Sequence, residues 1–208
     1  MAEHLSSIPI APEERLNYLI ETSWDIFFER VINNRITINK ENSMQLHFSV
    51  ILHSLGELLC LFPGEQFNIE LESDYKKKNI DITCSLNGIR AAIELKCFRV
   101  KSNRPIDLAM YDVLKDMQRL LEYEGFNIRK FYCLTDNKRY AYDKHKGHAA
   151  SVSISDGIIY KKDTPIIPSW VDKMKDKSWD KAITFSRDIT IKWVSKNEWH
   201  FLCVDLSK

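Results

Sequence analysis

Asn79 to Cys97 restricts what this chain can become more than any other stretch, because two period-two arms flank a turn of one type. On the first arm Ile80, Ile82, Cys84 and Leu86 alternate with Asp81, Thr83 and Ser85. On the second, Ile89, Ala91, Ile93, Leu95 and Cys97 alternate with Arg90, Ala92, Glu94 and Lys96. Alternation of this kind marks strands that turn one face to a core. Asn87-Gly88 between the arms suits a type I′ turn, which needs positive φ at both central residues. Such a turn pairs Leu86 with Ile89. Counting outward then pairs Ile82 with Ile93 and Asp81 with Glu94, whose Cβ atoms would lie roughly 5 Å apart.

Like charges placed directly opposite destabilise a sheet unless something positive lies between them. A hard divalent cation such as Mg²⁺, which takes one or two carboxylates plus water and phosphate oxygens, is a sufficient reason to keep the pair. Lys96 falls on the face of Glu94, one diagonal step from Asp81.

Asp81, followed on the next strand by Glu94-Leu95-Lys96, resembles the PD-(D/E)XK nuclease superfamily, and the likeness covers roughly residues 42 to 135. Ile80 stands where the name-giving proline would be, a position that varies in that family. The resemblance implies an α/β (α+β) fold with a restriction-endonuclease-like core, a mixed four- to six-stranded sheet flanked by helices. It implies Mg²⁺-dependent hydrolysis of phosphodiester bonds, with Mn²⁺ able to substitute. Asp81 and Glu94 would hold the metal, the backbone carbonyl of Leu95 would be a further ligand, and Lys96 would orient water or stabilise transition-state charge. The expected substrate is nucleic acid in the form of double-stranded DNA, and a homodimer is the simplest way to cut both strands. Phe131 to Asn137 looks like the strand end of stand-alone bacterial restriction and defence nucleases. An RNA-directed nuclease of the same superfamily would share these residues. A binding module that kept the fold without turnover would need no divalent ion.

The remaining chain fits a helix–three strands–helix–strand order. A helix starts at Pro12, with Glu13 and Glu14 suiting its positive end, and residues 33–41 form a turn or short edge element. A second helix covers about 43–61, where Asn42 can cap and Gln45 completes a capping-box pattern. Gln45, Ser49, His53 and Glu57 recur every four residues as a polar stripe. That stripe is either a solvated edge or, by the resemblance, the source of a further acidic metal ligand, Glu57. Gly56 suits close approach of this helix to the sheet. Phe67, Ile69 and Leu71 read as a first strand, and Asp74 to Lys78 as a charged loop. A long amphipathic helix over about 107–124 and a strand over 130–135 complete a βαβ unit, expected as a right-handed crossover. In the irregular 143–181, Trp170 and Trp179 are either substrate-facing platforms or packed surface rings. Ile183 to Val194 and Trp199 to Leu206 read as a last hairpin around Ser195–Glu198, so that strands fill 182–206.

At 208 residues and 24.4 kDa the chain fits one domain, 1–208, with a sizeable core. No apolar run is long enough to span a bilayer, and the first residues lack a signal peptide's basic start and apolar centre. Five scattered cysteines without any Cys-x-x-Cys suggest reduced core thiols of a cytoplasmic protein, not a disulfide frame or zinc site. A net charge of +1 excludes a strongly basic binder by total charge. Its distribution is uneven: residues 90–104 hold five basic side chains against Glu94, and 129–146 hold six against two acidic. Such patches would suit a phosphate backbone, and solvated loops account for them too.

Overall fold

The computed structural model describes residues 8–76, 78–102, 104–170 and 181–207. In chain order its elements are helices α1 (Pro12–Ile32) and α2 (Glu41–Leu58), strands β1 (Phe67–Tyr75), β2 (Lys78–Leu86) and β3 (Ile89–Phe98), and helix α3 (Ile106–Glu122). Strand β4 (Ile128–Thr135), the short helix α4 (Lys138–Tyr142) and a 3-10 turn (Gly147–Val152) follow. Strands β5 (Ile159–Tyr160), β6 (Ile189–Thr190), β7 (Trp193–Lys196) and β8 (Trp199–Asp205) end the chain. Six strands form a mixed sheet in the order β1-β2-β3-β4-β8-β7, flanked by helices, and β5-β6 make a separate pair. Two compact units divide these elements: Met1–Leu95 with Glu124–Lys130 and Ser207–Lys208, and Lys96–Tyr123 with Phe131–Leu206.

In the first unit α1 begins where the proline and the acidic first turn place it. Its buried stripe of Leu16, Leu19, Ile20, Trp24, Phe27 and Val31 follows helical spacing. Trp24 stacks on Phe27 at 5.2 Å and meets Phe48 of α2 edge-on at 5.6 Å. Fully burying a ring of this size is worth about 1.5–3 kcal/mol. Two buried cations of this unit have acidic partners, Arg15 with Glu65 and Lys130 Nζ with Glu21 Oε1 at 2.8 Å. Unpaired, such charges would be expelled from the core.

The central hairpin has the predicted turn and register. Asn87 and Gly88 sit at φ 50° and 82°, Leu86 pairs with Ile89, and Ile82 with Ile93. Strand β1 runs four residues further than the apolar alternation at 67–71 suggested, pairing with β2 from Phe67–Leu86 to Tyr75–Lys78. The expected charged loop at 74–78 is therefore mostly ladder. Charged side chains are admissible there because β1 is an edge strand, where they meet water.

In the second unit Phe98 stacks on Tyr140 at 4.6 Å. Trp170 is 2% exposed and lies 6.0 Å from both Tyr111 and His148, so it is a packed ring and not a substrate platform. Position 179 lies outside the described residues. The last hairpin is shorter than predicted: β7 pairs with β8 from Trp193–Leu202 to Lys196–Trp199. Upstream, Ile189–Thr190 pairs with β5 and Ile183 bridges Ile166. The Asp188 carboxylate explains the diversion, accepting from the Lys162 backbone N–H and from Lys161 Nζ, both at 2.8 Å. All five cysteines are free, and burial pushes the Cys84 thiol up to about 12. Among the described residues no helix is long and apolar enough to cross a membrane.

Gly56 does bring α2 close to the sheet, since a Cβ there would overlap the Phe67 ring. Alanine normally stabilises a helix interior by about 1 kcal/mol over glycine. Here overpacking, typically about 1–3 kcal/mol, outweighs that gain. Gly56→Ala should lower stability in urea unfolding, and Phe67→Leu added to it should recover part of the loss. A more stable Gly56→Ala protein would show that the helix stands clear of the strand.

Candidate functional site

The start of α2 differs from its sequence pattern in a way that builds the site. Lys40 occupies the cap position, and Ser43 Oγ accepts from the Lys40 N–H at 3.1 Å and the Asn39 N–H at 2.9 Å. Ser43 thus performs the capping expected of Asn42 and Gln45. Released from that role, the Gln45 amide donates from Nε2 to the Asp81 backbone carbonyl at 2.7 Å and to Glu72 Oε1 at 2.8 Å. Both partners are acceptors, which fixes the orientation of the amide.

These contacts mark one row of the sheet. Leu71 pairs with Ile82 and Ser73 with Ile80, so Glu72 stands opposite Asp81, and Ile82–Ile93 pairing puts Glu94 next in line. Three carboxylates therefore share a row across β1, β2 and β3. Glu72 is missing from the β1–β2 ladder and holds φ 53°, a left-handed conformation uncommon for a side-chain-bearing residue. Asp81 turns its carboxylate onto β3, where Oδ2 accepts the Leu95 N–H at 2.6 Å. That N–H belongs to the peptide joining Glu94 to Leu95. Glu94 itself is 1% exposed, a position in which a carboxylate needs hydrogen bonds or a cation.

In the second unit Lys96 Nζ pairs with Asp116 Oδ2 of α3 at 2.8 Å, while Arg119 Nη2 holds Asp116 Oδ1 at 3.0 Å. Lys96 is 16% exposed in its side chain, so the pair is largely shielded from screening by solvent. Asp112 pairs with Arg104, and Gln118 turns along its own helix to Glu122.

Of the predicted site residues, the structure brings Asp81, Glu94 and Leu95 together and extends Lys96 from the same strand. It does not bring Glu57 to them. Glu57 is exposed and follows Gln45 by twelve residues, about 18 Å along the helix axis. Gly56 beside it packs on Phe67, which pairs with Leu86 next to the hairpin turn, whereas Asp81 lies toward the opposite end of β2. Of the polar stripe, Gln45 reaches the acidic row and Ser49 is buried, while His53 and Glu57 are exposed. Among the described residues no group of three or more His, Cys, Asp or Glu side chains could hold a metal ion. Two carboxylates with a peptide carbonyl remain a hard-oxygen donor set, and Mg²⁺ commonly asks no more of a protein, taking water and phosphate oxygens for the rest.

Sequence reading missed Gln45, Glu72 and Asp116 as neighbours of these groups. Extending β1 by pairing Tyr75 with Lys78 and counting back would have found Glu72. Nothing local distinguishes Gln45 as a sheet contact from Gln45 as a cap.

Replacing Gln45 by Leu removes two hydrogen bonds and should cost about 1–2 kcal/mol in urea unfolding. Glu57→Gln, at an exposed position, should change stability by less than about 0.5 kcal/mol. Equal effects of the two would remove Gln45 from the site.

No family model, curated protein or solved structure matches this chain.

Proposed function

We propose that this chain is a Mg²⁺-dependent endonuclease of the PD-(D/E)XK type, hydrolysing phosphodiester bonds of DNA. The observation that carries the reading is the Asp81 carboxylate on the Glu94–Leu95 peptide, with a lysine two residues beyond Glu94 on the same strand. The order α2, β1-β2-β3, α3, β4 supports it, being the helix–three strands–helix–strand sequence of a restriction-endonuclease-like core.

Asp81, Glu94 and the Leu95 carbonyl would hold the ion, whose chemistry is to polarise a scissile phosphate, neutralise developing charge and acidify bound water. The Leu95 N–H fixes Asp81 from one side, and Gln45 fixes its main chain from the other. The first holds the carboxylate and the second the backbone that carries it, which is what pre-organisation of a ligand requires. Lys96 is oriented by Asp116; its ammonium would donate to the attacking water or to a phosphoryl oxygen.

Asp81→Asn keeps an oxygen for the Leu95 N–H and so should fold normally, yet lose Mg²⁺-dependent nicking of plasmid DNA. Glu94→Gln should do the same. Unchanged turnover in either protein would defeat the reading, as would nicking that survives EDTA.

Lys96→Ala should slow single-turnover cleavage by about a hundredfold or more at saturating Mg²⁺, with the Mg²⁺ midpoint similar. Normal cleavage with a strongly raised midpoint would assign Lys96 to the metal environment instead.

A further inference from the structure

Two loop segments of the second unit, 99–104 and 136–148, carry seven arginines and lysines against two aspartates. They meet at Asp136, whose Oδ2 accepts from Arg99 Nε at 2.9 Å and whose Oδ1 accepts from the Val100 N–H at 2.6 Å. The Phe98–Tyr140 stack joins the chain just before the first loop to helix α4 within the second.

The cations of this surface fall into two kinds. Its arginines have carboxylate partners: Arg99 with Asp136, Arg104 with Asp112, Arg139 with Asp143. Its lysines do not. Lys101, Lys138, Lys144 and Lys146 are exposed and have no ion-pair partner among the described residues. A guanidinium fork reads base edges bidentately, whereas an ammonium acts as a point charge suited to phosphate. The rings here are also committed. Phe98 and Tyr140 cover each other, Arg99 lies over Trp199 at 4.7 Å, and exposed Tyr142 shares a 2.6 Å hydrogen bond with Ser195. Single strands are gripped by successive free rings on which bases stack, and this surface lacks such a series among its described residues.

We propose that this lysine surface binds the phosphate backbone of duplex DNA without reading its sequence. The choice of DNA rests on the nuclease reading above; the grip itself requires neither metal nor cleavage.

The test is fluorescence anisotropy in EDTA with two labelled duplexes of unrelated sequence and one single-stranded RNA, across a salt series. Wild-type protein should bind both duplexes within about threefold of each other and more tightly than the RNA. Each phosphate contact adds about 0.9 to the slope of log affinity against log salt. The fourfold variant K101A/K138A/K144A/K146A should therefore bind at least tenfold more weakly at 0.1 M salt, with a slope shallower by about three to four. The control K162A/K181A/K192A/K196A, which removes the same charge elsewhere in the unit, should bind as wild type, and circular dichroism should show both variants folded. Equal weakening in the control would reduce the effect to net charge and overturn the proposal. So would tenfold discrimination between the duplexes, tighter binding of RNA, or no salt-dependent binding at all. If the grip behaves as expected but wild type fails to cleave with Mg²⁺, the nuclease reading falls and the binding surface stands.

Discussion

The first unit is organised around the hydrogen bond from the Leu95 N–H to the Asp81 carboxylate. A side chain has taken a backbone donor of a central strand, and the sheet accommodates it by leaving regular pairing at that row. Glu72 departs into left-handed backbone, and Gln45 reaches in from α2 to satisfy the Asp81 carbonyl. Polar groups at this depth must be bonded, since an unmade hydrogen bond costs about 1–3 kcal/mol there. The Asp81 carboxylate is therefore built into the sheet's own bonding and is not decoration on its surface.

The hairpin was legible in sequence because its turn chemistry and its alternation agree on one register. Asn87-Gly88 admits positive φ at both positions, and a slip of one residue would have turned Ile80, Ile82, Cys84 and Leu86 to the wrong face. The placement of Asp81 next to Glu94 follows from counting alone. What could not be counted was which polar residue of α2 meets the sheet. Gln45 and Glu57 share one stripe, and the choice between them depends on the direction in which the helix crosses the hairpin, a tertiary fact. Capping added to the ambiguity, because Ser43 and Gln45 are both competent partners for the start of α2.

The C-terminal part was less legible for a different reason. Ile183 to Val194 alternates well enough to read as a strand, but Asp188 offers its carboxylate to Lys161 and Lys162, and local side-chain bonding diverts the segment to pair with the chain near Ile159 and Ile166. For Trp170 the sequence left two readings open, and the packed one holds. Trp170 stands in a polar sequence, yet Tyr111 and His148 enclose it.

The kink at Glu72 has a second effect, on what the sheet does with its own rim. Strand β1 is an edge, and its nine residues would otherwise offer a straight row of unpaired N–H and C=O groups to any extended chain that drifted past. A left-handed residue in mid-strand breaks that row into two short stretches out of line with each other, neither long enough to seat another strand well. The distortion that sets Glu72 opposite Asp81 thereby guards the edge against pairing with another strand.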